Sequence, residues 1–280
     1  MEILRNLKLK GSEGKTILAD VFFKMDGFNK PAVVFNHGFK GFKDWGIWDL
    51  VAKGFADNGF VFIKFNQTHN GTTPENPMEF DDLESFGKNT YSRELEDIEA
   101  VFSWLSNNPS LPTDLINQND LNLIGHSRGG ATALIAAAEI KQVRKVATWA
   151  AFKNIAERFS TVSYENWEKK QVVYILNGRT GQEMPQHFEI WQDHEANLER
   201  FNLQKVLEHY STPHLIVHGT EDPTVIFKDA LQLKAYNQNA ELYLIPNADH
   251  VFGGSHPYSN LSLPVYAQQA VKETIRFFKG

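Results

Sequence analysis

Apolar and polar positions alternate through residues 2–10 and again through 16–24. Gly11-Ser12-Glu13-Gly14 lies between the two stretches, which predicts two antiparallel strands joined by a hairpin connection. The pattern then changes. Residues 31–36 and 60–65 are continuous apolar runs, as expected for strands buried on both faces of a parallel sheet, and a helical stretch over 45–58, stopped at Gly59, separates them. Residues 66–88 are polar and rich in Asn, Thr, Gly and Pro, which predicts a long loop of functional or mobile character. Helical spacing returns with Leu95, Ile98, Val101, Phe102 and Leu105. It predicts a helix from Asn89 to Asn107, ended by Pro109 and Pro112.

A strand at 120–124 runs into Gly125-His126-Ser127-Arg128-Gly129-Gly130 and then into an alanine-rich helix reaching Lys141, followed by a strand at 145–150. Residues 152–206 break this alternation. They hold helical fragments, the apolar run 172–176, the turn signal Asn177-Gly178 and the polar tract 179–185, a pattern that predicts a cap-like insertion on the strand ends. Strand and helix alternate again through 213–218, 227–236, 241–245 and a closing amphipathic helix over 264–278. The reading is an α/β protein: a mostly parallel sheet with antiparallel N-terminal strands, helices on both faces, a core of 1–151 and 207–280, and an insertion at 152–206.

Composition narrows the chemistry. A formal net charge of −6, with no Lys/Arg block, argues against nucleic acid as a partner. The absence of cysteine removes disulfides, thiolate catalysis and cysteine-ligated metals. The N-terminal stretch reads as a strand rather than a signal peptide and no apolar run has the length of a membrane span, so a cytoplasmic protein without a membrane partner is expected. His69, His187, His194, His209, His214 and His256 show no metal-ligand spacing, and neither a metal nor a cofactor is expected.

Ser127 sits at the bend between strand and helix, between two glycines, where its hydroxyl would project from the C-terminal sheet edge beside the unpaired first amides of a helix. A serine hydroxyl needs a base to accept its proton, and the base needs an orienting carboxylate. Two later strand ends offer them: Asp222 in Gly219-Thr220-Glu221-Asp222-Pro223, with Glu221 as an alternative acid, and His250 in Ala248-Asp249-His250.

These segments, together with His37-Gly38-Phe39, resemble those of the α/β-hydrolase superfamily, in particular its serine esterase, dienelactone-hydrolase-like and acyl-peptidase-like branch. The resemblance covers roughly 15–151 and 207–280 and leaves out the insertion. It implies Ser127 as nucleophile, His250 as general base, Asp222 as the acid orienting that histidine, and the backbone amides of Phe39 and Arg128 as oxyanion donors. Two features depart from common family patterns: Arg follows the serine, and the 37–39 segment lacks the glycine-rich extension of lipase-type loops.

The expected activity is hydrolysis of a small-molecule carboxylic ester or other acyl substrate through an acyl-enzyme on Ser127. An acyl-peptidase, amidase or thioesterase would use the same residues, and a non-catalytic binding protein on the same fold is the alternative of another class. Individual side chains leave choices open. The Arg128 guanidinium either binds a substrate carboxylate or turns away to pair with an acidic neighbour. His126 packs beneath the turn, and His37 holds it through a hydrogen bond. Trp149, Phe152, Arg179 and Trp191 either line a substrate pocket or belong to the insertion's own core.

Overall fold

The computed structural model describes residues 1–106, 110–159 and 163–280. Strands β1 (Glu2–Lys10) and β2 (Thr16–Phe23) form the N-terminal hairpin, followed by β3 (Lys30–Asn36), helix α1 (Trp48–Asp57) and β4 (Val61–Asn66). Next come α2 (Leu83–Gly87), α3 (Tyr91–Ser106), β5 (Ile116–His126), α4 (Arg128–Glu139) and β6 (Val143–Trp149). The intervening region holds α5 (Tyr164–Lys170), β7 (Val172–Leu176), β8 (Glu183–His187), α6 (Glu189–Ala196) and α7 (Leu203–Glu208). The chain closes with β9 (His214–Gly219), α8 (Lys228–Tyr236), β10 (Glu241–Ile245) and α9 (Val265–Lys279).

Eight strands form one sheet in the order β1-β2-β4-β3-β5-β6-β9-β10. The β1/β2 and β2/β4 pairs are antiparallel and every pair from β4/β3 onward is parallel. Period-two alternation sends successive residues of one strand into opposite cores. In β3, Ala32 and Val34 face the core built with α3, α4, α7 and α8, whereas Val33 and Phe35 face the core built with α1 and α9. Both faces are therefore covered, which is why the strands read as unbroken apolar runs, each fully buried Val or Phe contributing about 1.5–3 kcal/mol.

Three elements differ from the sequence-based expectation. Strand β5 begins at Ile116 rather than 120, because its polar first half pairs only at the sheet margin, where Lys30 meets Ile116. The stretch 66–88 is tied down: Asp97 accepts from the Thr68 amide at 2.7 Å and the Ser12 amide at 2.8 Å, Gln67 to Asn70 are buried, and α2 lies within it. Its polar residues hydrogen-bond inward. In the insertion, the run 172–176 pairs antiparallel with the tract Glu183–His187 as a separate two-stranded ribbon. The predicted helix end at Asn107 and Pro109 lies outside the described residues.

The described residues of 152–206 share an interior with the sheet and its helices. Phe159, Trp167, Phe188 and Phe201 belong to the same apolar cluster as Leu95, Ile98 and Leu134 of α3 and α4. A second small cluster joins Phe42 of the loop after β3, Phe80 and Phe86 of the 66–88 stretch, and Met184 of β8. The ribbon is thereby fixed over the C-terminal strand ends. No helix among the described residues is long and apolar enough to cross a membrane.

The loop between β3 and α1 is anchored by buried charge. Lys64 pairs across β4/β2 with Asp20, its Nζ 2.9 Å from the carboxylate; Lys43 lies at the same distance from it, and the Lys43 amide donates to Asn66 at 2.6 Å. Burial alone would raise the Asp20 pKa, but Lys64 and Lys43 hold it well below the usual carboxylate range. Asp44 and Asp49 bring further carboxylate oxygens to Asp20, and the Lys64 ammonium is bound among the three.

Candidate active site

Strand β5 turns into α4 through Ser127, whose φ of 54° and ψ of −120° lie outside the regions comfortable for an L-residue. Close backbone approach imposes this turn. A Cβ on Gly125 would lie 2.1 Å from the Gly129 carbonyl oxygen, and one on Gly129 would lie 2.3 Å from the His37 carbonyl oxygen. The Ser127 amide donates to the Trp149 carbonyl at 2.8 Å, and the Ser127 carbonyl accepts from Gly130 at 2.9 Å. The hydroxyl is left at the sheet edge with the N-terminus of α4 beside it.

Three strand ends converge there. Ser127 Oγ lies 3.0 Å from His250 Nε2, and His250 Nδ1 lies 2.7 Å from Asp222 Oδ2. The other Asp222 oxygen accepts the Thr224 and Val225 amides, both at 2.8 Å. Burial pushes the Asp222 pKa up, but hydrogen bonds from His218 and His250 and the Val225 amide hold it well below the usual range. A fixed carboxylate at Nδ1 keeps the proton on that nitrogen, so Nε2 is free to accept from the serine. Glu221 is exposed and contributes its amide to the Ala248 carbonyl, and Asp249 caps the following turn through the Gly253 amide at 2.7 Å.

The 37–41 loop closes the other side of the serine. A Cβ on Gly38 would stand 2.9 Å from Ser127 Cβ, so the chain leading into Phe39 lies directly against the hydroxyl. His37 is buried, its Nδ1 2.9 Å from the Gly38 oxygen, and burial pulls its pKa down to about 4, leaving a neutral donor. Arg128 is the first residue of α4, and the leading amides of a helix have no intrahelical partner. The Phe39 and Arg128 segments thus flank Ser127.

His126 is neutral as well, because burial, followed by the nearby His250, pulls its pKa down to about 3. Its Nε2 donates to the His250 carbonyl at 2.9 Å, and its ring packs on Trp48 and His250, with centroids 5.3 and 4.9 Å away. This fixes the backbone that carries His250. His126→Phe, which fills the space without the donor, is expected to lower kcat about tenfold at nearly constant KM, while His126→Gln, able to donate, loses less. Equal kcat in the Phe variant and the unaltered protein would remove His126 from any positioning role.

Two cavities meet at Ser127. The smaller, about 130 Å³, is lined by His37, Gly38, Trp45, Trp48, His126 and Val251 among others. The larger, about 620 Å³, is bounded by Phe39, Tyr91, Phe152, Phe159 and Ile175 together with Lys40, Arg128 and Arg158. Arg128 Nε lies 2.6 Å from the buried Glu94 carboxylate and its guanidinium sits 4.2 Å from the Tyr91 ring centroid. It therefore pairs with an acidic neighbour, while still forming part of the cavity wall.

Of the four residues weighed for a pocket, Phe152 lines the larger cavity. Trp149 is enclosed in the sheet core, its Nε1 donating to Thr274 at 3.0 Å, and Trp191 packs on Phe159 and Tyr164 in the insertion's aromatic cluster. Arg179 stacks on Phe42 and Phe80 at the ribbon turn, away from the larger cavity. Lys40, Tyr91 and Arg158 escaped the sequence reading. Lys40 was detectable as the neighbour of Phe39, whereas only the packing of α3 on α4 and the course of the chain after β6 bring the other two to the cavity beside Ser127.

The sheet order, the covered faces and the strained serine turn define the α/β-hydrolase fold. A family model described as the alpha/beta hydrolase fold matches residues 31–163. Among solved structures, Est1E from Butyrivibrio proteoclasticus with bound ferulic acid is 18% identical over 97% of both chains, with a TM-score of 0.75. The esterase domain of a Rhodothermus marinus protein is 19% identical over 99% of this chain and 98% of that one, with a TM-score of 0.66. A dienelactone hydrolase from Anabaena variabilis is 15% identical over 100% and 98%, with a TM-score of 0.63. A search of curated proteins finds no match.

Proposed function

We propose that this protein is a serine hydrolase that cleaves a carboxylic ester through an acyl-enzyme on Ser127. The observation that carries the reading is the unbroken relay from Ser127 Oγ through His250 to the buried Asp222 carboxylate, with links of 3.0 and 2.7 Å. His250 Nε2 accepts the serine proton as Oγ attacks the acyl carbonyl, and the electron pair of the C=O bond moves onto oxygen between the amides of Phe39 and Arg128. Collapse of that intermediate breaks the ester C–O bond, and His250 returns its proton to the departing alkoxide. Water, deprotonated by the same nitrogen, attacks the acyl-enzyme and releases the acid and free Ser127.

General base catalysis contributes about 10²- to 10⁴-fold, and one oxyanion donor about 2.7–4 kcal/mol in the transition state. The aromatic lining formed by Phe39, Tyr91, Phe152 and Phe159 supports an aryl or extended acyl group in the larger cavity. The ferulic acid bound by the Butyrivibrio esterase is a ligand of that chemical kind.

Fluorophosphonate treatment followed by intact-mass analysis and peptide mapping tests the reading, together with a series of p-nitrophenyl esters. One adduct on Ser127 and turnover extending to long or aryl acyl groups are expected. Folded protein that forms no adduct and turns over no ester would instead be a binding protein on this fold.

A further inference from the structure

The larger cavity is cationic within an acidic protein. The chain carries a formal net charge of −6, yet this wall presents Lys40, Arg128 and Arg158 and, among the described residues, no Asp or Glu. Glu94 balances only one of the three, Arg128. The Lys40 ammonium contacts the Leu176 carbonyl at 3.4 Å and lies 5.6 Å from the Phe39 ring centroid. The Arg158 guanidinium contacts the Thr224 carbonyl at 3.5 Å and lies 4.6 Å from the Phe152 ring centroid. Neither makes an ion pair among the described residues. Lys40 is half-buried, which is costly for a cation without a counter-charge and draws its pKa down, whereas Arg158 is exposed at the cavity's edge. Apart from Ser127 and His250, the remaining described lining is aromatic or aliphatic except for the neutral Gln186 and Thr224. Two unpaired cations on an aromatic chamber open to a serine constitute a receptor for an aromatic body bearing negative charge.

We propose that the larger cavity selects esters in which one half is an aromatic or similarly apolar group carrying a carboxylate, with Arg158 and Lys40 reading the anion. This rests on the serine-hydrolase reading of Ser127 and names the substrate class of that site. Arg128, paired with Glu94 and stacked on Tyr91, forms the wall behind the ligand. The neutral half of the ester then occupies the smaller cavity lined by Trp45 and Trp48. The reaction that supplies such a substrate esterifies one carboxyl of an aromatic diacid or acylates a hydroxyaryl acid, and hydrolysis returns a dianionic or hydroxylated aromatic acid.

Matched ester pairs test the proposal. In the acyl arm, 4-nitrophenyl 4-carboxybenzoate is compared with 4-nitrophenyl 4-methylbenzoate; in the alcohol arm, 4-carboxyphenyl acetate is compared with 4-methylphenyl acetate. Each kcat/KM is divided by the spontaneous rate constant. The anionic ester is expected to lead by about tenfold or more in one arm, with the lead shrinking as salt shortens the Debye length. Arg158→Met and Lys40→Met are each expected to cut the anionic-to-neutral ratio several-fold, and Arg158→Lys to retain part of it. This ratio is internal to each protein, so a variant with less folded material still reports it.

Binding of the inert pair 4-acetylbenzoate and 4-methylacetophenone, followed by calorimetry, reads the same preference without turnover. Parity or a neutral preference in both arms and in binding overturns the proposal, as does a lead that survives both Met variants. Failure of the serine reading has a different signature: no adduct on Ser127 and no turnover of any of the four esters, whatever the calorimetry shows.

Discussion

Ser127→Ala is expected to lower kcat for an activated ester by about 10⁶-fold, to a rate still about 10³- to 10⁴-fold above that in water, while the protein remains folded. The large effect follows from the geometry: Oγ is the group 3.0 Å from His250 Nε2, and its removal leaves a base with no nucleophile to activate. What remains is binding and the amides of the turn, which polarise the carbonyl for direct attack by water. The substitution keeps the backbone contacts of Ser127 with Trp149 and Gly130, so the melting temperature should stay within about 2 °C of the starting value.

Ser127→Gly separates strain from chemistry. At a φ of 54° the Cβ is a burden that the turn carries to present the hydroxyl, and its removal is expected to raise the melting temperature while abolishing turnover as completely as Ala. A kcat within tenfold of the starting protein in either variant, measured on material freed of contaminating esterase, would eliminate Ser127 as nucleophile.

The legible parts of this molecule were those governed by local pattern. Buried parallel strands such as β3 and β4 advertise themselves because both of their faces need apolar side chains, and the Gly125–Gly129 spacing announces a turn where backbones touch. The placement of Asp222 and His250 at successive strand ends followed from the strand reading, because adjacent parallel strands deliver their C-terminal loops to one edge. The choice between Glu221 and Asp222 depended on which carboxylate turns inward beneath β9, and the structure places Asp222 on the His250 ring with Glu221 in solvent.

Illegible features had causes that lie far apart in the chain. Polar residues 66–71 resembled a solvated loop because their partners, Ser12 and Asp97, come from the hairpin and from α3. Strand β8, reading Glu-Met-Pro-Gln-His, has neither alternation nor β-branched residues, and it exists because β7 and α2 hold it. Arg128 posed a choice the sequence left open, since Glu94 sits 34 positions earlier and reaches it only through packing of α3 on α4. The wall of the larger cavity is of the same kind, assembled from the 37–41 loop, α3, the stretch after β6 and the ribbon.

Asp222→Asn is expected to lower kcat by about 10⁴-fold, less than loss of the serine, with KM for a neutral ester little changed. The reason is the fixed set of donors around the carboxylate. Oδ1 accepts the Thr224 and Val225 amides, and these backbone N–H groups oblige the asparagine to place its oxygen there and its NH₂ toward His250. A donor facing Nδ1 shifts the imidazole proton to Nε2, where it opposes the serine hydroxyl instead of accepting from it. The substitution thus preserves shape and reverses the tautomer. The developing imidazolium also loses its counter-charge in a site where little water compensates. Fluorophosphonate labelling of Ser127 should slow in parallel with kcat, because both require the same deprotonation. Glu221→Gln, one residue away and exposed, is expected to leave kcat unchanged. A loss smaller than tenfold in Asp222→Asn, or a larger one in Glu221→Gln, would move the orienting role away from Asp222.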